Sequence, residues 1–425
     1  MPNIVKIGII VVAGVFLLVI LSLFGLLPGK KPPAPPEVRI TFWGFQDDES
    51  VWEETFKAFA TAYPHISIVY SKINENVYEE TLLNRLAAGT GPDIFYLPNA
   101  LLRKHEDKIF GLAPGSAEFS ARDFRATFVD GVVPDLVKPD GTIIGLPLFV
   151  DTPALFYNKD LFNAVGIAQP PQTWEEVVEI ARRFTELNRA GEIVKSGVAL
   201  GSARNIERAF EIVSSLMLQY GSPIVAHDVQ NPALGGGTIK ALEFYTSFGD
   251  SRSSNFSWTS RLKNAFEAFA EGKTPMVFGL SRDLARIVGK NPHLNLGIAP
   301  FPQLKGAATP VVYGSYLVPV VSKLSQSPGV AWQFLFFATS RNGAASYLVA
   351  SKRPAARRDL LVGRAPTAEL DVFHKQSLIA KTWKLPDERV TRVLFENAVE
   401  SVVSGSSKPA SAVSQLGIQL QLLSL

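Results

Sequence analysis

"GLPLFVDTPALFYNKDLF", residues 145–162, is mostly apolar, yet Asp151 sits in its middle and Tyr157-Asn158-Lys159-Asp160 close it. A plain core strand has no use for a carboxylate, because burying a charge is costly unless the charge is paired. The carboxylate and the phenol therefore need a reason, which depends on where the chain runs at this point and what it might hold. That has to be read from the chain on either side.

On its N-terminal side strands and helices alternate. "VRITFWGF" (38–45) is a buried-strand pattern. In "SVWEETFKAFATAY" (50–63), Val51, Trp52, Phe56, Phe59, Ala60 and Tyr63 share one helical face, and Pro64 ends the run. "ISIVYSKI" (66–73) predicts a second strand, "VYEETLLNRLAAG" (77–89) a helix stopped at Gly89, and "PDIFYL" (92–97) a third strand. This β-α-β-α-β order is that of an open α/β sheet.

On its C-terminal side Thr173-Trp174-Glu175-Glu176 is a capping box that starts a helix over 173–187. Helices are expected at 204–219, 238–248 and 260–271, and strands at 274–280 and 294–302. The chain from about 322 onward reads as mostly helical.

The whole chain has 425 residues, 47% of them hydrophobic, which allows two large lobes or about three domains. A net charge of +3 with scattered Lys and Arg gives no electrostatic footprint for nucleic acid. The densest basic group, Lys352-Arg353 with Arg357-Arg358, reads as a solvated face. With no cysteine, disulfides, thiolate metal sites and a cysteine nucleophile are excluded. None of the common hydrolase, metalloprotease, P-loop or dinucleotide motifs occurs, and the five histidines are isolated. Asp47-Asp48-Glu49 with Glu53 could form an acid pair for glycoside cleavage, but acids also favour a helix N-terminus.

Ile7–Leu27 is an uncharged run of 21 residues. As a helix it would span ~31 Å, the thickness of a bilayer core. A retained signal anchor is expected; the alternative is a long signal peptide cut near Ser22 or Gly25. Five prolines between Pro28 and Glu37 then make a stiff, extended spacer.

Residues 145–177, "GLPLFVDTPALFYNKDLFNAVGIAQPPQTWEEV", closely resemble the signature segment of extracellular solute-binding proteins of the maltose-binding-like family, which serve ABC importers. "ITFWGF", "LLNRLAAGTGPDIFYL" (82–97), "AFAEGKTPMVFG" (268–279), "GIAPFPQ" (297–303) and "VVYGSYLVPV" (311–320) resemble further family segments, in the family's order. The resemblance covers nearly all of 38–350.

It implies an α/β, two-lobed periplasmic-binding-protein-like fold with an interlobe cleft, preceded here by the N-terminal transmembrane helix (1–27) and the linker (28–37). Lobe 1 would comprise 38–149 plus 300–345, and lobe 2 would comprise 150–299 plus 346–425. Crossings between lobes are expected near 148–152 and 298–302. The implied function is capture of a mono- or oligosaccharide by lobe closure and delivery to ABC permease subunits, from a single-pass anchor with the domain outside the plasma membrane. Two other readings remain: a sensory or adhesive binding protein without a transporter, and a glycan-processing enzyme. No catalytic residue, metal or cofactor is implied.

A neutral sugar calls for aromatic rings against its apolar face and for carboxylates or amides at its hydroxyls. The candidate ligand contacts are Trp43, Gln46, Asp47, Asp93, Asn99, Asp151, Tyr157, Trp258, Tyr313 and Tyr316. Carry-over by motif is best for Trp43, Asp93, Asp151 and Trp258. Trp43 fits a core strand as well, and Asp93, after Gly91-Pro92, fits a turn. Trp258 lies in the polar stretch "SSNFSWTS", which favours ligand contact over core. Tyr313 and Tyr316 flank Gly314. Where the family often has a Trp after the glycine of its "MVFG"-like strand, this chain has Leu280-Ser281.

Overall fold

The computed structural model describes residues 35–423 other than 117, 223–233, 363, 364, 366, 384 and 386, together with residues 14 and 16. Apart from those two residues, the expected anchor at 7–27 lies outside the described residues. No helix among the described residues is long and apolar enough to cross a membrane.

Two cores, each built on its own sheet, divide the chain. In the first, β1 (Val38–Gly44), β2 (Ile66–Lys72) and β3 (Ile94–Pro98) run parallel in the order β2-β1-β3. Alternation buries Ile40, Phe42 and Gly44 of β1 on one face. The helix Glu49–Ala62 covers that face with Trp52, Thr55 and Phe59, three and four residues apart. Phe42 meets Trp52 edge-on with ring centroids 5.2 Å apart.

In the second lobe β4 (Ala154–Asn158) is the central strand of a three-stranded sheet. Its helix Trp174–Phe184 starts at the expected capping box: Thr173 Oγ1 accepts from Glu176 N, and the Glu176 carboxylate accepts from Thr173 N. A short antiparallel ribbon, β5 (Glu186–Leu187) with β6 (Ile193–Lys195), follows on the surface. β7 (Met276–Gly279) and β8 (Leu296–Ala299) flank β4 antiparallel on either side. Phe156, Trp174, Leu216, Tyr245, Phe278, Phe373 and Phe395 fill this second core.

After β8 the chain makes β9 (Val312–Tyr313) and β10 (Leu317–Val321); β10 returns to the first sheet, antiparallel to β3. β11 (Ala380–Lys381) pairs with β9.

Among the described residues, three segments therefore join the lobes. Val150 packs in the first core and Ala154 in the second; Tyr313 packs in the second and Tyr316 in the first; Ala356 packs in the first and Leu370 in the second. The resemblance implies crossings near 148–152 and 298–302, and the first passage lies between Val150 and Ala154. The second differs: Phe301 and Tyr313 are still in the second core, so the chain crosses at Gly314-Ser315 and not at 298–302. Residues 346–356, expected in lobe 2, pack in the first core through Tyr347, Leu348, Ala355 and Ala356. The helix Arg341–Ser351 carries them, and its Tyr347 ring lies 4.8 Å from Trp52. The later helices Ala368–Ser377, Glu388–Val403 and Pro409–Leu422 lie in the second lobe.

Candidate functional site

Between the lobes lies a cavity of about 170 Å³. The first lobe and its crossings contribute Phe45, Gln46, Glu75, Asn99, Phe149, Asp151, Ser315, Tyr316 and Arg353 to its wall; the second contributes Arg208, Glu211, Leu280, Arg282, Glu388 and Arg392. The wall is mostly charged and hydrogen-bonding, with Phe45, Phe149 and Tyr316 as its aromatic members.

On the second lobe acids and guanidiniums alternate. Arg208, just before the helix Ala209–Gln219, donates from Nε to Asp283 Oδ2 at 2.6 Å and lies 3.8 Å from Glu211 Oε1. Arg392 reaches the same Glu211 oxygen at 2.9 Å and donates from Nε to Glu388 Oε1 at 3.0 Å. Burial pushes the Glu211 carboxyl up, but Arg392 and Arg208 outweigh burial and hold it at about 2. Glu211 Oε2 is buried without a hydrogen-bond partner. Arg392 also stacks over Phe210, 4.5 Å from the ring centroid.

On the first lobe Arg353 is the anchor. It is buried, lies over Phe149 at 4.2 Å, donates to Asp47 Oδ1 at 2.9 Å and holds Gln46 Oε1 at 3.2 Å. The solvated face expected around Lys352-Arg353 is thus corrected: Lys352 adopts a left-handed backbone, φ 55°, at the end of its helix, and Arg353 turns into the cleft wall.

Asp151 sits at the first crossing. Its Oδ1 accepts from Thr152 N and Ser281 N, each at 3.0 Å, and its Oδ2 accepts from Ser281 Oγ at 2.8 Å. Burial raises its pKa, against the pull of Ser281, Arg353 and Arg282. Asn99 Oδ1 accepts from Tyr316 N at 3.1 Å, while its Nδ2 is buried with no partner. The Tyr316 hydroxyl donates to Asp135 Oδ2 at 2.9 Å. Arg282 is exposed to the cleft at the turn before the helix Asp283–Lys290.

Of the ten residues expected at the ligand, Gln46, Asn99, Asp151 and Tyr316 line the cavity. Asp47 stands one layer behind it, buried between Arg353 and the Tyr347 hydroxyl, which donates to Asp47 Oδ2 at 2.7 Å. Five lie away from this cavity. Trp43 packs half-buried against the first core. Asp93, just before β3, ties it to β1: its carboxylate accepts from Thr41 N, Thr41 Oγ1 and Ser325 Oγ. Tyr157 packs on Phe162 within the second lobe, centroids 4.9 Å apart. Trp258 is fully buried in the second core, with Nε1 donating to Asn205 Oδ1 at 3.0 Å. Tyr313 is buried edge-on to Phe210. The acid group at 47–53 forms no catalytic pair: Asp48 bonds Lys72 and Glu53 bonds Lys57 at the surface.

Sequence reasoning missed Arg208, Glu211, Arg282, Arg353, Glu388 and Arg392. The only signal was the spacing of Arg208 with Glu211 and of Glu388 with Arg392, which is also that of ordinary exposed helix pairs.

Residues 44–345 match the bacterial extracellular solute-binding protein family. A binding protein of Brucella abortus is 25% identical over 385 residues, covering 88% of this chain and 90% of the relative. The sn-glycerol-3-phosphate-binding periplasmic protein UgpB of Agrobacterium fabrum is 28% identical over 189 residues, 42% of this chain and 40% of its own. Among solved structures, the sugar-binding protein MalE of Xanthomonas citri superposes with a TM-score of 0.75 at 23% identity, covering 91% of this chain and 97% of MalE. The matched family and these relatives are solute-binding proteins and not enzymes. It belongs to the family of bacterial extracellular solute-binding proteins.

Proposed function

We propose that this protein captures a small hydroxyl-rich solute, a monosaccharide or polyol, between its lobes and hands it to an ABC permease, held at the outer face of the plasma membrane by the segment Ile7–Leu27. The observation that carries the reading is a pair of unmet hydrogen-bonding groups on opposite walls. Asn99 Nδ2 is a donor without an acceptor, and Glu211 Oε2 an acceptor without a donor. Buried polar atoms are rarely left unpaired, because each costs about 1–3 kcal/mol. A hydroxyl gives and accepts hydrogen bonds, so a polyol satisfies both walls at once.

Size supports a small ligand. The cavity of about 170 Å³ is below the ~300–1,000 Å³ of ordinary ligand pockets. The names of the relatives agree with a hydroxylated solute: UgpB is named for glycerol 3-phosphate and MalE for sugar.

The absence of cysteine allows a clean test. Lys57 and Lys263 are exposed on different lobes. Fluorophores on Lys57→Cys and Lys263→Cys should show a saturable change in energy transfer with a monosaccharide or polyol from a panel, and the same solute should raise the ATPase rate of a reconstituted permease. A solute that closes the lobes without stimulating any permease would favour the sensory reading. No response to any hydroxylated solute would refute the proposal.

A further inference from the structure

Four guanidiniums line the cavity, and three are already matched. Arg208 is held by Asp283, Arg392 by Glu211 and Glu388, and Arg353 by Asp47 and Gln46. Arg282, among the described residues, makes no hydrogen bond and no ion pair, although Asp283, Asp151 and Glu211 lie close enough to be felt. Asp283 and Asp151 have their oxygens engaged elsewhere: Asp283 by Arg208 and Leu280 N, Asp151 by Ser281 and Thr152. Across the cavity the buried Asn99 Nδ2 is a second donor without an acceptor.

The geometry points to a subsite for an oxyanion, in which the phosphate or carboxylate of a small hydroxylated solute bonds Arg282 from one lobe and Asn99 Nδ2 from the other. This rests on the reading of the cleft as a solute site and narrows the class of solute. A guanidinium offers a planar fork that fits an oxyanion with two parallel hydrogen bonds, and charge-assisted bonds are about twice as strong as neutral ones. The desolvating cleft walls and the like charge of Arg208 lower the Arg282 pKa, and an anion at this point would offset both. Asn99 is set for the role because its Oδ1 accepts from Tyr316 N, which holds the amide's orientation and leaves the N–H₂ as the unpaired end. An oxyanion bonded to both residues bridges the lobes and favours the closed form.

The test is calorimetric titration of the full chain with two matched pairs: glycerol 3-phosphate against glycerol, and glucuronate against glucose. The inference expects the charged member of at least one pair to bind at least about tenfold more tightly, and the pair in which this occurs tells phosphate from carboxylate. Arg282→Gln, an exposed site whose change should leave the melting temperature alone, should bring the two members of that pair within about twofold. Asn99→Asp, which keeps the acceptor for Tyr316 N but removes the donor, should do the same. If the neutral members bind as tightly as the charged ones, or Arg282→Gln weakens both equally, the subsite is refuted while the solute-binding reading stands. If none of the four binds, the subsite is likewise refuted, and closure with the wider panel decides the broader reading.

Discussion

Asp151 and Ser315 exchange both backbone hydrogen bonds, Asp151 N to Ser315 O and Ser315 N to Asp151 O, each at 2.9 Å. They belong to two of the three segments that join the lobes, so the crossings are bonded to one another where the chain changes core. The side chain of Asp151 then reaches forward to Ser281 at the end of β7. One residue thus fixes the hinge backbone and the second lobe's cleft turn.

This predicts a contrast between two substitutions. Asp151→Ala leaves Ser281 N, Ser281 Oγ and Thr152 N without their acceptor in a buried place, and should cost about 1–3 kcal/mol. Asp151→Asn keeps one oxygen for the two N–H groups and puts an amide N–H₂ against a hydroxyl that can turn to accept. It should melt near wild type at pH 7. Because burial raises the Asp151 pKa, its ionisation works against folding: its contribution is full below the unfolded pKa and lost as pH rises through the folded one. Asp151→Asn should remove that fall. Thermal melts of both variants from pH 3 to pH 7 check the contrast.

Glu211 has the opposite sign. Its pKa falls from 4.5 to about 2, so its stabilisation is present above the unfolded value and lost as pH drops from about 4.5 to about 2. At 1.36 kcal/mol per pKa unit this is on the order of 3 kcal/mol. Denaturant unfolding between pH 5 and pH 2 should show the loss in wild type and a flatter profile in Glu211→Gln.

Arg353 should be structural as well as cleft-lining. Arg353→Ala strands the Asp47 carboxylate, which is 4% exposed, and bares the Phe149 ring. Breaking a buried pair from one side costs about 3–5 kcal/mol. The double variant Asp47→Ala/Arg353→Ala should cost less than the two single losses added together. A double-mutant cycle in urea measures this; strict additivity would contradict it.

Trp258→Ala should behave as a core truncation. The indole is 0% exposed and its N–H pairs with Asn205. A loss of about 3–5 kcal/mol is expected, with solute affinity kept by the folded fraction. Differential scanning calorimetry beside titration separates the two effects.

The legible parts were those ruled by period and local bonding. The β1–β3 unit follows from alternation and apolar helical faces and the helix at Trp174 from its capping box, whereas the first crossing was legible only through the family resemblance of residues 145–177. The misread parts depend on partners far away in the chain. Trp258 lies in a polar stretch, but Asn205, 53 residues earlier, satisfies its N–H and lets it be core. Arg353 looked solvated beside Lys352 because Asp47, 306 residues away, is invisible in a local window. The second crossing is missed because its strand, Val312–Tyr313, has only two residues and therefore no period to read.

The central claim is that the solute sits between Glu211, Asn99 and Arg282. A crystal structure of the full chain with its bound solute tests it most directly. The account predicts solute oxygens within ~3 Å of Asn99 Nδ2, Glu211 Oε2 and the Arg282 guanidinium, with contacts from both lobes at once. A solute stacked instead on Trp43, or held by one lobe alone with these three groups still unmatched, would contradict it.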